Sequence, residues 1–236
     1  MTNMNEKKMD FKQSIDFVRI LIYAAIAGLG AGALGTLFTF SVNYVTKLRG
    51  NHPWLIYFLP IGGIVIVLLY KLAKYKDAGT DLVINSIHSE PHLPVRIGPL
   101  IFISSVITHL FGGSAGREGA ALQIGGSVGS FVSKTLRLKE EDKKTLIMAG
   151  MSGCFSALFG TPLTAAILPL EVVHVGYMQY AALLPCAIAS LVGHSVAIAM
   201  NLVEPMHHIG TVPNLDAITT IAVIGLSLLA GLVSRL

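Results

Sequence analysis

Residues 112–119 read Gly-Gly-Ser-Ala-Gly-Arg-Glu-Gly, and an apolar segment begins directly after them at Ala120. The stretch holds two charged residues, Arg117 and Glu118, between glycines in a chain whose neighbouring segments are apolar. Glycine lets the backbone approach a ligand closely, and a helix start presents unpaired N–H groups with a partial positive charge. This combination is typical of an anion site.

The composition indicates a membrane protein. Of the 236 residues, 53% are hydrophobic and only 13% are charged, which is more apolar than one soluble core requires. The formal net charge is +4, but the basic residues lie in short clusters between apolar runs, so nucleic-acid binding is not indicated. The two cysteines, Cys154 and Cys186, have neither CxxC nor zinc-ligand spacing. We predict no metal, no cofactor and no catalytic residue.

Apolar segments of two lengths occur along the chain. A helix spans a bilayer with about 20 apolar residues, and four segments reach that length: 17–45, 54–72, 178–202 and 217–236. Four others have only about 14 residues, too few to cross upright: 97–110, 120–132, 146–159 and 163–175. Because backbone polar groups cannot stay unpaired in lipid, short broken helices indicate a protein-lined cavity of a transporter. A plain bundle with tilted helices is the alternative interpretation.

The chain is predicted to form one transmembrane domain, residues 1–236. No Ser/Gly-rich linker interrupts it, and the basic loop at 134–144 is the only strongly polar stretch in its interior. Residues 1–13 are polar, and the apolar stretch that follows is too long for a cleaved signal peptide. We therefore expect residues 1–13 to form a cytoplasmic N-terminus.

The distribution of basic residues predicts an orientation. Short loops rich in Lys and Arg face the cytoplasm, which places Lys74 and Lys139 on that side and Asn51 on the other. Lys47 and Arg49 argue weakly against this arrangement. It nevertheless lets the first two spans cross out and back, and it holds the glycine-rich loop at membrane depth.

Two motifs resemble those of the CLC family of chloride channels and anion/proton antiporters. The core of the first is 116–119, Gly-Arg-Glu-Gly, which is similar to the family's GREGP motif with Ala120 in place of the proline. The second is 150–171, which reads Gly-Met-Ser-Gly-Cys-Phe-Ser-Ala-Leu-Phe-Gly-Thr-Pro-Leu-Thr-Ala-Ala-Ile-Leu-Pro-Leu-Glu and is similar to the family's helix G, bend and helix H. The basic loop between them also fits, so the resemblance covers most of the chain from Phe17 onward.

The resemblance implies an all-α integral membrane protein with the CLC-type fold, of which this chain is the first inverted-topology repeat with tilted and broken half-helices. It implies a homodimer in the bilayer whose subunits each move chloride or fluoride as a channel or an anion/proton antiporter. No enzyme activity is implied. Glu118 would be the gating and proton-coupling residue. The implied anion contacts are Gly79, Thr80, Gly116, Arg117, Gly119, Ala120 and Leu122. A bacterial plasma membrane is the expected location.

Three departures from the family's pattern change what the resemblance implies. Near residues 79–83, Asp81 and Val83 stand where the family's GSGIP segment has Gly and Pro. Val172 stands where chloride antiporters carry an internal proton-transfer glutamate, and valine cannot carry a proton. The third departure is length. The chain stops inside an apolar run at Leu236, so we expect a fragment without the second repeat that does not sustain selective anion flux alone.

A rhomboid-like intramembrane serine protease is one alternative function. Residues 150–153 match its GxSG pattern, and Ser152 would then pair with His174 or His194. The other explanation of this pattern is close helix packing through small residues, which also fits the glycines of 125–129.

Two further alternatives concern charged residues. A cation-coupled secondary transporter needs an acidic cluster at the membrane midplane, for which Asp81 alone is weak support. Arg117 and Glu118 would alternatively form a self-neutralising buried pair that only fixes the loop. We expect Glu171 to be a solvated helix end rather than a proton donor, and no metal site at His109.

Overall fold

The computed structural model describes residues 2–74, 84, 93–173, 179–202 and 216–234, with side chains from Ile15 onward. Within these ranges all regular structure is helical, as predicted. The helices are α1, Thr2–Asn51; α2, Leu59–Leu72; α3, Ile97–Leu110; α4, Glu118–Thr135; α5, Glu140–Phe159; α6, Pro162–Val173; α7, Leu183–Ala199; and α8, Ala217–Ser234. Short 3-10 helices, Pro53–Phe58 and Tyr180–Ala182, precede α2 and α7.

Four helical segments of the described chain are long and apolar enough to cross a membrane. They are Ile15–Asn51, Pro53–Leu72, Tyr180–Ala199 and Ala217–Ser234, which correspond to the four predicted spans. Helix α1 extends well beyond its predicted limits at both ends. Its exposed side chains include Ile22, Ile26 and Leu29, whose spacing makes one apolar stripe that suits contact with lipid.

Two of the four short segments form longer helices than predicted. Helices α3 and α6 have 14 and 12 residues, but α4 has 18 and α5 has 20. The prediction that all four are short was wrong for α4 and α5, because polar residues continue the helix at both ends of the run in α4 and before the run in α5. The first turn of α5 contains Glu140, Glu141 and Asp142, where negative charge interacts favourably with the helix dipole.

Helix α5 is the centre of the fold. All of its residues from 146 to 158 are buried, and it packs against α1, α4 and α7. The helices cross at small residues. Where α1 meets α7, a Cβ on Gly28 would lie 2.6 Å from the carbonyl oxygen of Ala189. Gly125 and Gly150 likewise face each other's backbone so closely that neither has room for a side chain. The packing interpretation of 125–129 and 150–153 is therefore confirmed.

Helix α5 ends in the predicted bend. Gly160 has a φ of +66°, and its N–H donates to the carbonyl of Ser156 at 2.9 Å. A glycine in this left-handed conformation is a common helix stop. Pro162 then begins α6, where its missing N–H costs no helical hydrogen bond.

The residues Glu204–Leu236 form a second compact unit, separate from Met1–Val203. Its described part contains α8, none of whose residues is buried. The carboxylate of Asp216 accepts the N–H of Thr219 at 2.7 Å and so caps the start of α8. That residues 1–236 make a single domain stays a prediction.

Candidate functional site

The glycine-rich loop of residues 112–117 joins α3 to α4. Gly112 has a φ of +80°, and the N–H of Gly113 donates to the carbonyl of Thr108 at 2.8 Å. The loop therefore turns sharply away from the end of α3, which requires a residue without a side chain at Gly112.

Helix α4 starts without a side-chain cap. Its N-cap residue is Arg117, which makes no capping hydrogen bond. The N–H of Ala121 donates to the carbonyl of Arg117 at 2.9 Å. The N–H groups of Glu118, Gly119 and Ala120 precede this bond, so they are the amides that a helix start leaves open. Together with the helix dipole they favour a negative charge at this position.

The carboxylate of Glu118 lies beside this helix start. Its side chain is exposed, and its Oε2 is 2.5 Å from the point where a Cβ on Gly116 would stand. The carboxylate thus folds back over Gly116, which has no side chain to prevent it. The negative charge that the helix start favours is already present in the chain, on a side chain that is free to move.

Arg117 and Glu118 do not form a buried ion pair. Glu118 is exposed and Arg117 only partly buried. The ion pairs within the described ranges join Arg19 to Asp16 and Asp142, and Lys143 to Glu140. The interpretation of Arg117 and Glu118 as a self-neutralising buried pair was therefore wrong. Among the described residues, no cation lies within ion-pair distance of the exposed Glu118 carboxylate.

The structure brings together part of the predicted anion site. Gly116 is exposed and Gly119 partly buried, next to Glu118. The side chains of Ala120 and Leu122 belong to the buried apolar core, so only their backbone is available to an anion. Gly79, Thr80 and Asp81 lie outside the described residues.

The site lies towards one end of the helices, opposite the basic loop. Arg19 of α1 lies 4.0 Å from Asp142 in the first turn of α5, whereas Arg49, 30 residues later and roughly 45 Å along an α-helix, contacts the position of Gly112. Helix α4 has 18 residues and is roughly 27 Å long. This is less than the roughly 30 Å thickness of the hydrocarbon core, so α4 by itself is too short to cross that core.

Arg49 is the residue of this region that the sequence analysis missed. It entered only as weak evidence about orientation, but its Cδ and Nη1 lie 3.2 Å from the point where a Cβ on Gly112 would stand. The available signal was its position in the first loop. The predicted orientation places that loop on the non-cytoplasmic side, where basic residues are disfavoured.

The last turn of α6 agrees with the prediction that Glu171 lies at a solvated helix end. Glu171 is exposed in the last turn, as expected of a helix end. Val172 is partly buried and packs against the apolar core. Neither of these two side chains is a buried group on α6 that could carry a proton.

Ser152 lacks the surroundings of a protease nucleophile. It is fully buried, and its hydroxyl donates to the carbonyl of Met148 at 3.1 Å. The described residues give Ser152 no histidine partner, and Nδ1 of His194 has no hydrogen-bond partner among them. His174 lies outside the described residues.

A cavity of about 570 Å³ lies between α1, α3 and α4. Its walls include Leu34, Phe102, Ile124 and Phe131, and no charged side chain is among its lining residues. An apolar cavity of this kind does not suit a small anion, which needs N–H donors or positive charge.

The chain matches a known protein family and several known proteins. The profile of the family described as "Voltage gated chloride channel" matches residues 62–236. A chloride/fluoride channel protein of Pseudomonas syringae pv. tomato is 38% identical over 218 residues, which cover 92% of this chain and 48% of that protein. An H(+)/Cl(-) exchange transporter of Vibrio campbellii is 28% identical over 64% of this chain and 36% of its own length.

Solved structures have a similar fold. A CLC-type fluoride/proton antiporter matches with a TM-score of 0.81 and 32% identity, over 90% of this chain and 55% of its own. A slow cyanobacterial Cl-/H+ antiporter matches with a TM-score of 0.69 and 22% identity, over 88% and 53%, which supports the fold alone. The predicted CLC-type helical fold is confirmed. The chain spans about half the length, or less, of the curated relatives that it matches.

Proposed function

This chain belongs to the voltage-gated chloride channel family, and we propose that it moves chloride or fluoride across a membrane with Glu118 as the gate. The observation that carries the proposal is the uncapped start of α4, where open backbone N–H groups and the Glu118 carboxylate lie together. The relatives are named as halide channels and exchangers rather than enzymes.

The gate works by competition between two negative charges. Ionised Glu118 and a halide both favour the positive end of α4, so they exclude each other from it. Protonation removes the charge of the carboxylate and leaves the N–H groups of Gly119 and Ala120 to the anion. Each exchange of carboxylate for anion then accompanies the uptake of a proton, which is the basis of anion/proton antiport.

The finer features of this proposal follow the same family. Gly79, Thr80, Gly116, Arg117 and Leu122 would complete the anion pathway. The chain would work as a homodimer in a bacterial plasma membrane with a cytoplasmic N-terminus. Chloride and fluoride both accept N–H hydrogen bonds, and relatives with either anion in their names match the chain. Since Val172 cannot carry a proton, the inner step of proton transfer needs another group.

The test is halide efflux from liposomes that contain the protein at the length at which it is naturally made. Chloride and fluoride are measured with ion-selective electrodes while external pH is recorded. Glu118→Gln should remove the pH dependence of flux, and Glu118→Ala should also remove proton movement. Moving one charge by a few ångströms in a poorly screened site is worth on the order of 10²-fold in occupancy. Glu171→Gln is the matched control, because Glu171 is also exposed.

The outcomes separate the parts of the proposal. An absence of both chloride and fluoride flux from the wild-type protein would contradict anion transport itself. Flux with an unchanged rate and pH profile in Glu118→Gln would leave transport standing and contradict the gate.

The orientation has a separate test, which uses single cysteines at Lys74, Lys139 and Asn51. The native Cys154 and Cys186 are buried and should not react with a membrane-impermeant maleimide in intact cells. We expect the reagent to label only the cysteine at Asn51. Labelling of all three cysteines from one side would contradict the orientation.

A further inference from the structure

We propose that Arg49 captures the anion at the outer mouth of the pathway before it reaches Glu118. This inference rests on the proposed function, because it gives Arg49 a role in the same transport reaction. The class of ligand is a small halide in water at the membrane surface.

The geometry brings Arg49 onto the glycine-rich loop. Arg49 lies in the last turn of α1, and its Cδ and Nη1 are 3.2 Å from the position of a Cβ on Gly112. A Cβ at residue 112 would therefore push the Arg49 side chain back by a few tenths of an ångström. The side chain of Arg49 thus lies against the loop that leads to Glu118, although α1 and this loop are far apart in sequence.

Among the described residues, no carboxylate neutralises the positive charge of Arg49. It is part of no ion pair within the described ranges, and its buried Nε has no hydrogen-bond partner among the described residues. A guanidinium stays charged at every physiological pH. Within the described ranges, the loop region thus carries the cations Arg49 and Arg117 and the carboxylate of Glu118, a positive balance. Positive charge at the mouth of a cleft raises the local concentration of anions.

A structural explanation also exists for a basic residue at this place. Any cation in the last turn of α1 interacts favourably with the helix dipole. Lys47 lies two residues before Arg49, close to the same helix end, and is exposed, but it is not among the atoms nearest to a Cβ on Gly112. Lys47→Gln is therefore the matched control that separates the dipole from the loop contact.

The experiment measures initial chloride and fluoride influx into liposomes at increasing external halide concentration. It compares the full-length wild-type protein with Arg49→Gln, Arg49→Lys and Lys47→Gln. We expect Arg49→Gln to raise the apparent KM for external halide about fivefold, the scale of one unit charge a few ångströms away in water. Arg49→Lys should stay within about twofold of wild type, since charge acts mainly through distance, and Lys47→Gln should not change KM.

Two further readouts distinguish capture from a structural role. The wild-type apparent KM should rise with added inert salt, because salt screens exposed charges, and Arg49→Gln should lose most of this dependence. The apparent KM measured from the inner side should be the same in both proteins. Loss of stability alone does not produce this pattern.

The outcomes decide between the proposals. An apparent KM that rises as much in Arg49→Lys as in Arg49→Gln, or that does not depend on salt in the wild type, overturns the capture role. If Arg49→Gln does not fold, the Arg49→Lys and salt measurements still decide. A wild-type protein that moves neither halide contradicts the proposed function instead.

Discussion

The start and the middle of α4 use glycine for opposite purposes. At the start, Gly116 leaves space that the exposed carboxylate of Glu118 enters. In the middle, Gly125 and Gly129 are buried, and their missing side chains let the backbone of α5 come into contact. One region keeps a charged group free to move, and the other fixes two helices against each other.

This difference shows that glycine content alone does not reveal what each glycine does in the fold. What separates the two regions is the neighbour of each glycine. The neighbour of Gly116 is the end of a flexible side chain, whereas the neighbour of Gly125 is the carbonyl oxygen of Gly150. A side chain can rotate away at small cost, but a backbone inside a helix bundle cannot. Substitutions at the two places should therefore affect different properties.

The largest effect is expected in the core. Gly125→Leu puts a large side chain against the backbone of Gly150, and overpacking of this kind costs about 3 kcal/mol or more. We expect most of the protein to aggregate after purification in detergent. Gel filtration after heating at increasing temperature measures the loss of the folded peak.

Gly63→Leu is the matched control for this substitution. Gly63 is also inside a helix, α2, but a Cβ there would have nothing within 4 Å. Since leucine is a better helix former than glycine, the variant should be as stable as wild type or slightly more so. Equal stability of Gly125→Leu and Gly63→Leu would break the distinction between the two kinds of glycine.

A smaller effect of another kind is expected at the helix start. Gly116→Ala puts a Cβ 2.5 Å from Oε2 of Glu118, so the carboxylate must move while the fold stays intact. Stability should change by less than about 1 kcal/mol, the usual range for an exposed glycine. The pH dependence of halide flux should shift measurably, and liposome flux at several pH values tests this. A change in stability as large as that of Gly125→Leu would contradict the comparison.

The smallest effect concerns a helix start that is capped. Hydrogen bonds from the backbone and side chain of Thr219 lower the pKa of Asp216. Because its pKa is lower when folded, the stabilisation is present above the ordinary aspartate pKa and is lost as pH falls through the folded value. The amide shift of Thr219, followed by NMR in micelles, should titrate in wild type below the ordinary range and stay flat in Asp216→Asn. A titration that persists in Asp216→Asn would show that another group is responsible.

The sequence predicted the helices better than their ends. The apolar run at 97–110 begins and ends at the same residues as α3. The run at 146–159 is only part of α5, which begins at Glu140. Hydrophobicity marks the buried or lipid-facing part of a helix, and the hydrogen bonds that define the helix continue through polar turns.

The candidate site was also predicted in part. Glu118 at an uncapped helix start follows from local sequence, since the glycines and the apolar run are adjacent to it. Arg49 was not predicted as part of the site, because 63 positions separate it from Gly112 and no local pattern joins them. Leu122 was named as an anion contact, but its side chain is buried in the core, and a role for its backbone stays a prediction.

The sequence alone was sufficient to predict a helical membrane protein of this family and a helix that starts after the glycine-rich loop, near Ala120. Composition and motif are local properties, and the lipid environment and helix dipole act on them directly. The packing of the helices was needed to show which glycines lie at helix contacts and which leave space for a carboxylate. It also showed that Arg49 lies on the loop before Glu118. These contacts depend on which backbone atoms lie next to each residue in the fold, and the packing of whole helices fixes those positions.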